Sequence, residues 1–199
     1  HSVMRLREVG IAPDVLVCRT KIDLDQEQRD KIALFCDVDS DAVIEAIDTE
    51  TIYSIPLTFE REGFADLVVR RLGLPETPPM MKEWNTIVER VLRPLGEVKI
   101  AVVGKYIANG DAYISIRESL QHAGIANDCR VNMTWIDSEE LETADIKEKL
   151  TSFDAILVCP GFGARGVEGK ISAIRHAREN GVPFLGICYG MQMVVIESA

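Results

Sequence analysis

The 199-residue sequence has no paired-cysteine spacing, no cluster of histidines, no membrane-length apolar run and no surplus of positive charge. Each absence removes a class of protein. The five cysteines, at positions 18, 36, 129, 159 and 188, are odd in number and contain no CxxC. That pattern excludes a disulfide framework and a cysteine-based zinc site, and it fits a reduced, cytoplasmic setting. The three histidines, His1, His122 and His176, share no ligand spacing with the cysteines, so no metal ligand is assigned. No signal-peptide pattern opens the chain, and no stretch approaches the ~20 apolar residues of a bilayer span. A net charge of −10 argues against a general affinity for nucleic acid or anionic membrane. Nucleotides remain open, because a few local cations and backbone N–H groups suffice to bind them.

What is present is an ordinary globular composition, 47% hydrophobic and 27% charged, with ample material for a core. The ends do not read as natural termini: the chain starts His1-Ser2-Val3 without a methionine and stops at Ala199 within an expected helix. A segment of a longer protein is expected. Residues 1–74 alternate helix and strand. Ser2 is placed to cap a short helix ending at Gly10, residues 14–18 form a strand, and residues 26–35 form a helix with Ile32, Leu34 and Phe35 inward. A second β-branched run covers 42–47, and one amphipathic helix is expected over 56–72. Two strands make a poor sheet alone, so further strands are expected before His1. Arg19 and Lys31 are chemically able to hold phosphates or uracil-like carbonyls, although solvated surface charge is the default for each.

Three prolines within residues 75–79 mark the clearest boundary, and a linker is assigned to 75–97, including a connecting helix over 81–92. Residues 98–199 then read as repeated βα units, with strands at 98–103, 131–136, 154–159 and 183–187. Helices are expected at 111–123, where Gly124 closes the helix, and within 137–149; a third runs from the glycine-rich loop at 160–169 to Asn180-Gly181. This predicts an α/β fold with a doubly wound parallel sheet, whose ligands bind at the carboxyl ends of the strands.

Cys188 lies at such an end, in Gly186-Ile187-Cys188-Tyr189-Gly190, followed by a helical pattern from Met191. Glycines two residues either side are the spacing of a nucleophile elbow, with sulfur in place of the serine oxygen. The turn holds its apical side chain out of the sheet at a helix N-terminus, where unpaired N–H groups favour a thiolate. A small buried cysteine at a strand end is the alternative. An attack on an amide carbonyl needs two N–H donors for the oxyanion. Tyr189 supplies one naturally, and Gly161 in the loop Pro160-Gly161-Phe162-Gly163 is the candidate for the other. A phosphate-binding loop is the weaker reading, because the Walker Lys-Ser/Thr is absent, and a bare structural turn is a third.

The two motifs Gly186-Ile187-Cys188-Tyr189-Gly190-Met191-Gln192 and Pro160-Gly161-Phe162-Gly163 resemble those of the class I (triad) glutamine amidotransferases. Gly104-Lys105-Tyr106, Asp111-Ala112-Tyr113, Arg165-Gly166-Val167-Glu168-Gly169-Lys170 and Ala177-Arg178-Glu179-Asn180, in that order, narrow the resemblance to the CTP synthases. Residues 31–36 and 52–56 resemble the end of that family's P-loop-type synthetase (amidoligase) domain. The resemblance implies ATP-dependent amination of UTP to CTP, with ammonia from glutamine hydrolysed at Cys188. It implies glutamine binding at Gly161, Tyr189, Gly190, Met191 and Gln192, and UTP or CTP binding at Lys31. ATP is placed at Ile47, Asp48 and Thr49, with Arg19 nearby, and the activator GTP at Phe162 and Arg165. It also implies Mg2+ held outside these residues, a homotetramer at full length, and a triad histidine and glutamate beyond Ala199. The chain alone is therefore expected to be inactive. Two departures stand out: Val158-Cys159-Pro160-Gly161-Phe162-Gly163 where the family reads Val-Pro-Gly-Gly-Phe-Gly, and Tyr189 where leucine is usual. Pro160 has no N–H, so Gly161 must carry any donor role. A GMP synthase-like amidotransferase and a noncatalytic scaffold are the competing readings.

Overall fold

The computed structural model describes residues 1–199, which divide into two compact units, His1–Leu92 and Arg93–Ala199. In the first unit, strands β1 (Leu16–Thr20) and β2 (Val43–Ile47) pair in parallel, Leu16 opposite Val43 and Thr20 opposite Ile47. Helix α1 (Ser2–Glu8) starts one residue earlier than a Ser2 cap requires, with His1 as N-cap and no side-chain cap bond. Helix α2 (Gln26–Cys36) is held by a capping box in which Asp25 accepts from the Gln28 N–H and the Gln28 side chain accepts from the Asp25 N–H. Only Ala33 is buried on it. Leu34 and Phe35, expected inward, are 79% and 73% exposed, because the helix turns Ala33 inward and these two side chains lie about 100° and 200° further round its axis.

The single helix expected over 56–72 is two helices, α3 (Ile55–Arg61) and α4 (Phe64–Arg71). Gly63 lies between them at φ 68°, a left-handed conformation glycine adopts without a Cβ clash, and it folds Phe64 back onto Phe59 with ring centroids 5.1 Å apart. Those two rings, with Val15 and Val38, pack on the buried Ala42, Ile44 and Leu67. Beside them Arg29 donates to Glu62 (2.7 Å) and to the Val43 carbonyl (2.9 Å), and it sits 3.5 Å from the nearly buried Glu45. Helix α5 (Lys82–Leu92) belongs to this unit and is tied to it by a hydrogen bond from Trp84 Nε1 to the Tyr53 carbonyl, 2.8 Å.

The second unit is a four-stranded, wholly parallel sheet in the order β4-β3-β5-β6, formed by β3 (Gly96–Gly104), β4 (Cys129–Asp137), β5 (Ala155–Val158) and β6 (Phe184–Gly186). The chain goes from β3 to one neighbour, β4, and then crosses to the other side for β5, so the connections part at the carboxyl ends of β3 and β5. Successive residues of a strand face opposite sides. Ala101, Val103, Ile156 and Val158 therefore pack with α8 (Val167–Asn180) and α9 (Tyr189–Ser198), together with Leu150 of α7 (Ile146–Leu150). Val102, Leu157 and Cys159 face Tyr113 and, on α6 (Ile114–Ala126), Ile116 and Leu120. Helices thus cover both faces, as a doubly wound sheet requires. Gly124 does not end α6 but lies inside it: a Cβ there would stand 2.6 Å from the Cys129 carbonyl oxygen, so its lack of a side chain lets helix and strand meet. No helix is long and apolar enough to cross a membrane.

Candidate active site

Cys188 sits between β6 and α9 as the N-cap residue, with φ 52° and ψ −107°, and its side chain is exposed. A non-glycine residue at positive φ is uncommon and is held there only by its surroundings. Those surroundings are visible. The Ile187 N–H donates to the Val158 carbonyl (3.0 Å), the Gly190 N–H to Ile187 (2.9 Å) and the Gln192 N–H to Cys188 itself (3.2 Å). The two flanking glycines are required by contact: a Cβ on Gly186 would lie 2.8 Å from the Gly190 carbonyl carbon, and one on Gly190 would lie 2.2 Å from the Val158 oxygen. The elbow geometry read from the sequence is present. Cys159, by contrast, is wholly buried at the end of β5, and burial pushes its thiol up to about 12, against an opposing pull from Lys170.

The loop after β5 lies beside this elbow. The Phe162 ring centroid is 5.1 Å from that of Tyr189, and Lys170 Nζ is 5.3 Å from the Tyr189 ring centre. Gly161 has φ 129°, which favours glycine. Lys170, on α8, is fully buried and donates to the carbonyls of Cys159 (3.1 Å) and Gly161 (3.3 Å). Burial lowers its ammonium below the usual lysine range; the neighbouring Cys159 and Cys188 sulfurs oppose that shift and Lys105 adds to it. Lys105 Nζ donates to the Phe162 carbonyl at 2.7 Å. Arg165 pairs with Glu139 and donates to the Lys105 carbonyl at 2.9 Å. Of the expected glutamine set, Gly190 is buried while Met191 and Gln192 are exposed on the first turn of α9.

The first unit gathers a separate group. Arg19, at the end of β1, pairs with Asp48, just past β2, at 2.9 Å, and Asp48 N–H donates to the Thr20 carbonyl. Ile47 is half-buried, and Thr49 donates to the Thr51 carbonyl and lines a cavity of about 510 Å3 with Ser54, Leu57 and Arg61. These residues lie at the carboxyl ends of parallel strands, where such sheets bind nucleotides. Lys31 stands exposed on α2. No three His, Cys, Asp or Glu side chains converge as a metal site.

Sequence reasoning passed over Tyr113, Lys105 and Lys170 as residues that hold the loop. For Lys170 a signal existed: with Ala173, Ile174 and Ala177 it falls at i, i+3, i+4, i+7, the buried stripe of α8.

A cysteine elbow beside a glycine loop on a doubly wound sheet defines the class of the second unit, a class I glutamine amidotransferase domain, and the profile "Glutamine amidotransferase class-I" matches residues 109–199. The profile "CTP synthase N-terminus" matches residues 1–74. Over its whole length the chain is 54% identical to CTP synthase of Methanocaldococcus jannaschii and 53% identical to that of Carboxydothermus hydrogenoformans. The chain belongs to the CTP synthase family. It spans 38% and 37% of the length of those two relatives. A solved structure of the Trypanosoma brucei CTPS glutaminase domain with bound acivicin is 43% identical over 50% of this chain and 39% of that one, with a TM-score of 0.46.

Proposed function

We propose that this chain is the central part of a glutamine-hydrolysing CTP synthase in which Cys188 is the nucleophile. The exposed thiol held at φ 52° on a helix N-terminus carries the reading. Its thiolate attacks the carboxamide carbon of glutamine, and the carbonyl oxygen becomes an oxyanion received by the N–H groups of Tyr189 and Gly161. Collapse of that intermediate expels ammonia, the leaving nitrogen taking the proton that the triad histidine implied outside these residues had removed from the Cys188 thiol, and leaves a thioester on Cys188. Water then hydrolyses the thioester to glutamate. Gly190, Met191 and Gln192 line the glutamine site, and Phe162 and Arg165 take the activator GTP. In the first unit, ATP lies against Ile47, Asp48 and Thr49 with Arg19, and UTP or CTP is bound at Lys31. ATP phosphorylates the uracil oxygen of UTP and ammonia displaces the phosphate. Mg2+ accompanies ATP through ligands outside these residues. The full-length enzyme is cytoplasmic and homotetrameric in this reading.

Residues 1–74 match a CTP synthase profile rather than an unrelated upstream domain, which favours this reading over a GMP synthase-like amidotransferase. The test is to treat the full-length protein with a glutamine-mimicking alkylator and map the adduct. Labelling at Cys188, lost in Cys188→Ala together with glutamine hydrolysis, is expected. An unreactive Cys188 would favour the noncatalytic scaffold.

A further inference from the structure

The second oxyanion donor sits on a peptide that another side chain orients. Tyr113 is buried at the start of α6, its ring stacked on Trp135 with centroids 5.9 Å apart and planes 9° apart. Its phenolic oxygen accepts from the backbone N–H groups of Lys105 (3.1 Å) and Tyr106 (3.3 Å). With those two acceptor positions filled, its own proton goes to the remaining partner, the Pro160 carbonyl at 3.0 Å. Burial raises the phenol's pKa, though the two N–H donors oppose this, so it stays a donor throughout the neutral range. The close approach is specific: a Cβ on Gly104 would stand 2.8 Å from the Tyr113 ring.

The Pro160 carbonyl and the Gly161 N–H belong to one peptide, and no cis bond occurs in the chain. In a trans peptide the two groups point in opposite directions. A carbonyl fixed on Tyr113 therefore turns the Gly161 N–H away from Tyr113. The carbonyls on either side, of Cys159 and Gly161, go instead to Lys170 Nζ, which lies against the Tyr189 ring. Lys105 takes the next carbonyl, that of Phe162. Four successive carbonyls are thus committed to side-chain donors, which leaves the loop little freedom to rotate a peptide.

We propose that Tyr113 is a positioning residue for glutamine hydrolysis: its hydroxyl fixes the Pro160–Gly161 peptide so that the Gly161 N–H faces the oxyanion formed at Cys188. Lys170 holds the same glycine from its other side. This rests on the glutaminase reading above.

The experiment compares the full-length wild type with Tyr113→Phe in three measurements. Steady-state glutamine hydrolysis gives kcat and KM. Inhibition by glutamate γ-semialdehyde, whose thiohemiacetal oxygen occupies the oxyanion position, reports on the donor pair. Alkylation of Cys188 by iodoacetamide displaces iodide from a CH2 group and makes no oxyanion, so it reports only on the thiol. Losing an oxyanion donor outright costs about 10²–10³ in kcat, and releasing its peptide is expected to cost about tenfold or more. Expected in Tyr113→Phe are that fall in kcat, a parallel weakening of the aldehyde, KM within about threefold and alkylation within about twofold of wild type. Unchanged kcat and aldehyde inhibition, or a fall in alkylation that matches the fall in kcat, overturns the proposal. A wild type that hydrolyses no glutamine overturns the glutaminase reading itself, a distinct result. Should Tyr113→Phe not fold, Lys170→Met removes the donor to the Cys159 and Gly161 carbonyls together with a positive charge near Cys188; kcat and aldehyde inhibition are expected to fall at least about tenfold further than alkylation does, and equal falls count equally against the proposal.

Discussion

Replacing Gly190 with alanine tests the physical basis of the elbow without touching the thiol. The glycine is not at positive φ, so backbone strain is not at issue; the cost is one of space. A Cβ there would stand 2.2 Å from the Val158 carbonyl oxygen, 2.9 Å from its carbon and 3.1 Å from Val158 Cγ1. Ordinary contact begins at 3.4 Å, so α9 must retreat by about 1 Å from the end of β5. Overpacking of this kind costs about 1–3 kcal/mol. The same retreat carries Cys188 and Tyr189 with it, and a displacement of about 1 Å at a reacting centre costs about 10²-fold in rate. Urea unfolding of the 199-residue chain, followed by Trp135 fluorescence in a Trp84→Phe background, isolates the second unit, and glutamine kcat of the full-length protein measures the proposed site. Gly181→Ala is the control: φ is 66° and nothing lies within 4 Å, so it carries the backbone cost of about 1 kcal/mol with no effect on kcat. If Gly190→Ala unfolds within ~0.5 kcal/mol of wild type and hydrolyses glutamine normally, close approach is not what keeps that residue small.

Two further outcomes follow from the ionisable groups. With the Cys159 thiol at about 12, only roughly one molecule in ten thousand carries its thiolate at pH 8, so peptide mapping after brief iodoacetamide treatment should find Cys188 modified and Cys159 untouched; labelling of Cys159 at a comparable rate would contradict its burial. Glu197 on α9 binds Arg178 of α8 through two 2.8 Å bonds, with Arg175 at 3.5 Å, and these partners hold its carboxyl below the usual glutamate range. A depressed carboxylate stabilises the fold above its unfolded pKa of about 4.5 and loses that contribution as pH falls through the lower folded value. Wild type should therefore shed α9 anchoring on acidification while Glu197→Gln shows no such step, as hydrogen exchange of the α9 amides on an acid titration would reveal.

The sequence determined the parts whose causes are local. Alternating βα periodicity gave the parallel sheet, the glycine spacing around Cys188 gave the elbow, and the motif order placed the chain among the CTP synthases, because each is written in neighbouring residues. Tertiary structure decided the rest. It split the expected 56–72 helix at Gly63, since a single glycine is weak punctuation until Phe64 finds Phe59. It left Leu34 and Phe35 exposed, since helical periodicity marks an apolar face but not whether anything lies opposite. It buried Lys170 and aimed Tyr113, Lys105 and Lys170 at four consecutive carbonyls, because those residues meet only where β3, β5 and α8 converge. The turn that presents Cys188 can be read from its own residues, but the side chains that hold the loop beside it come from distant segments and exist as a set only once the sheet has formed.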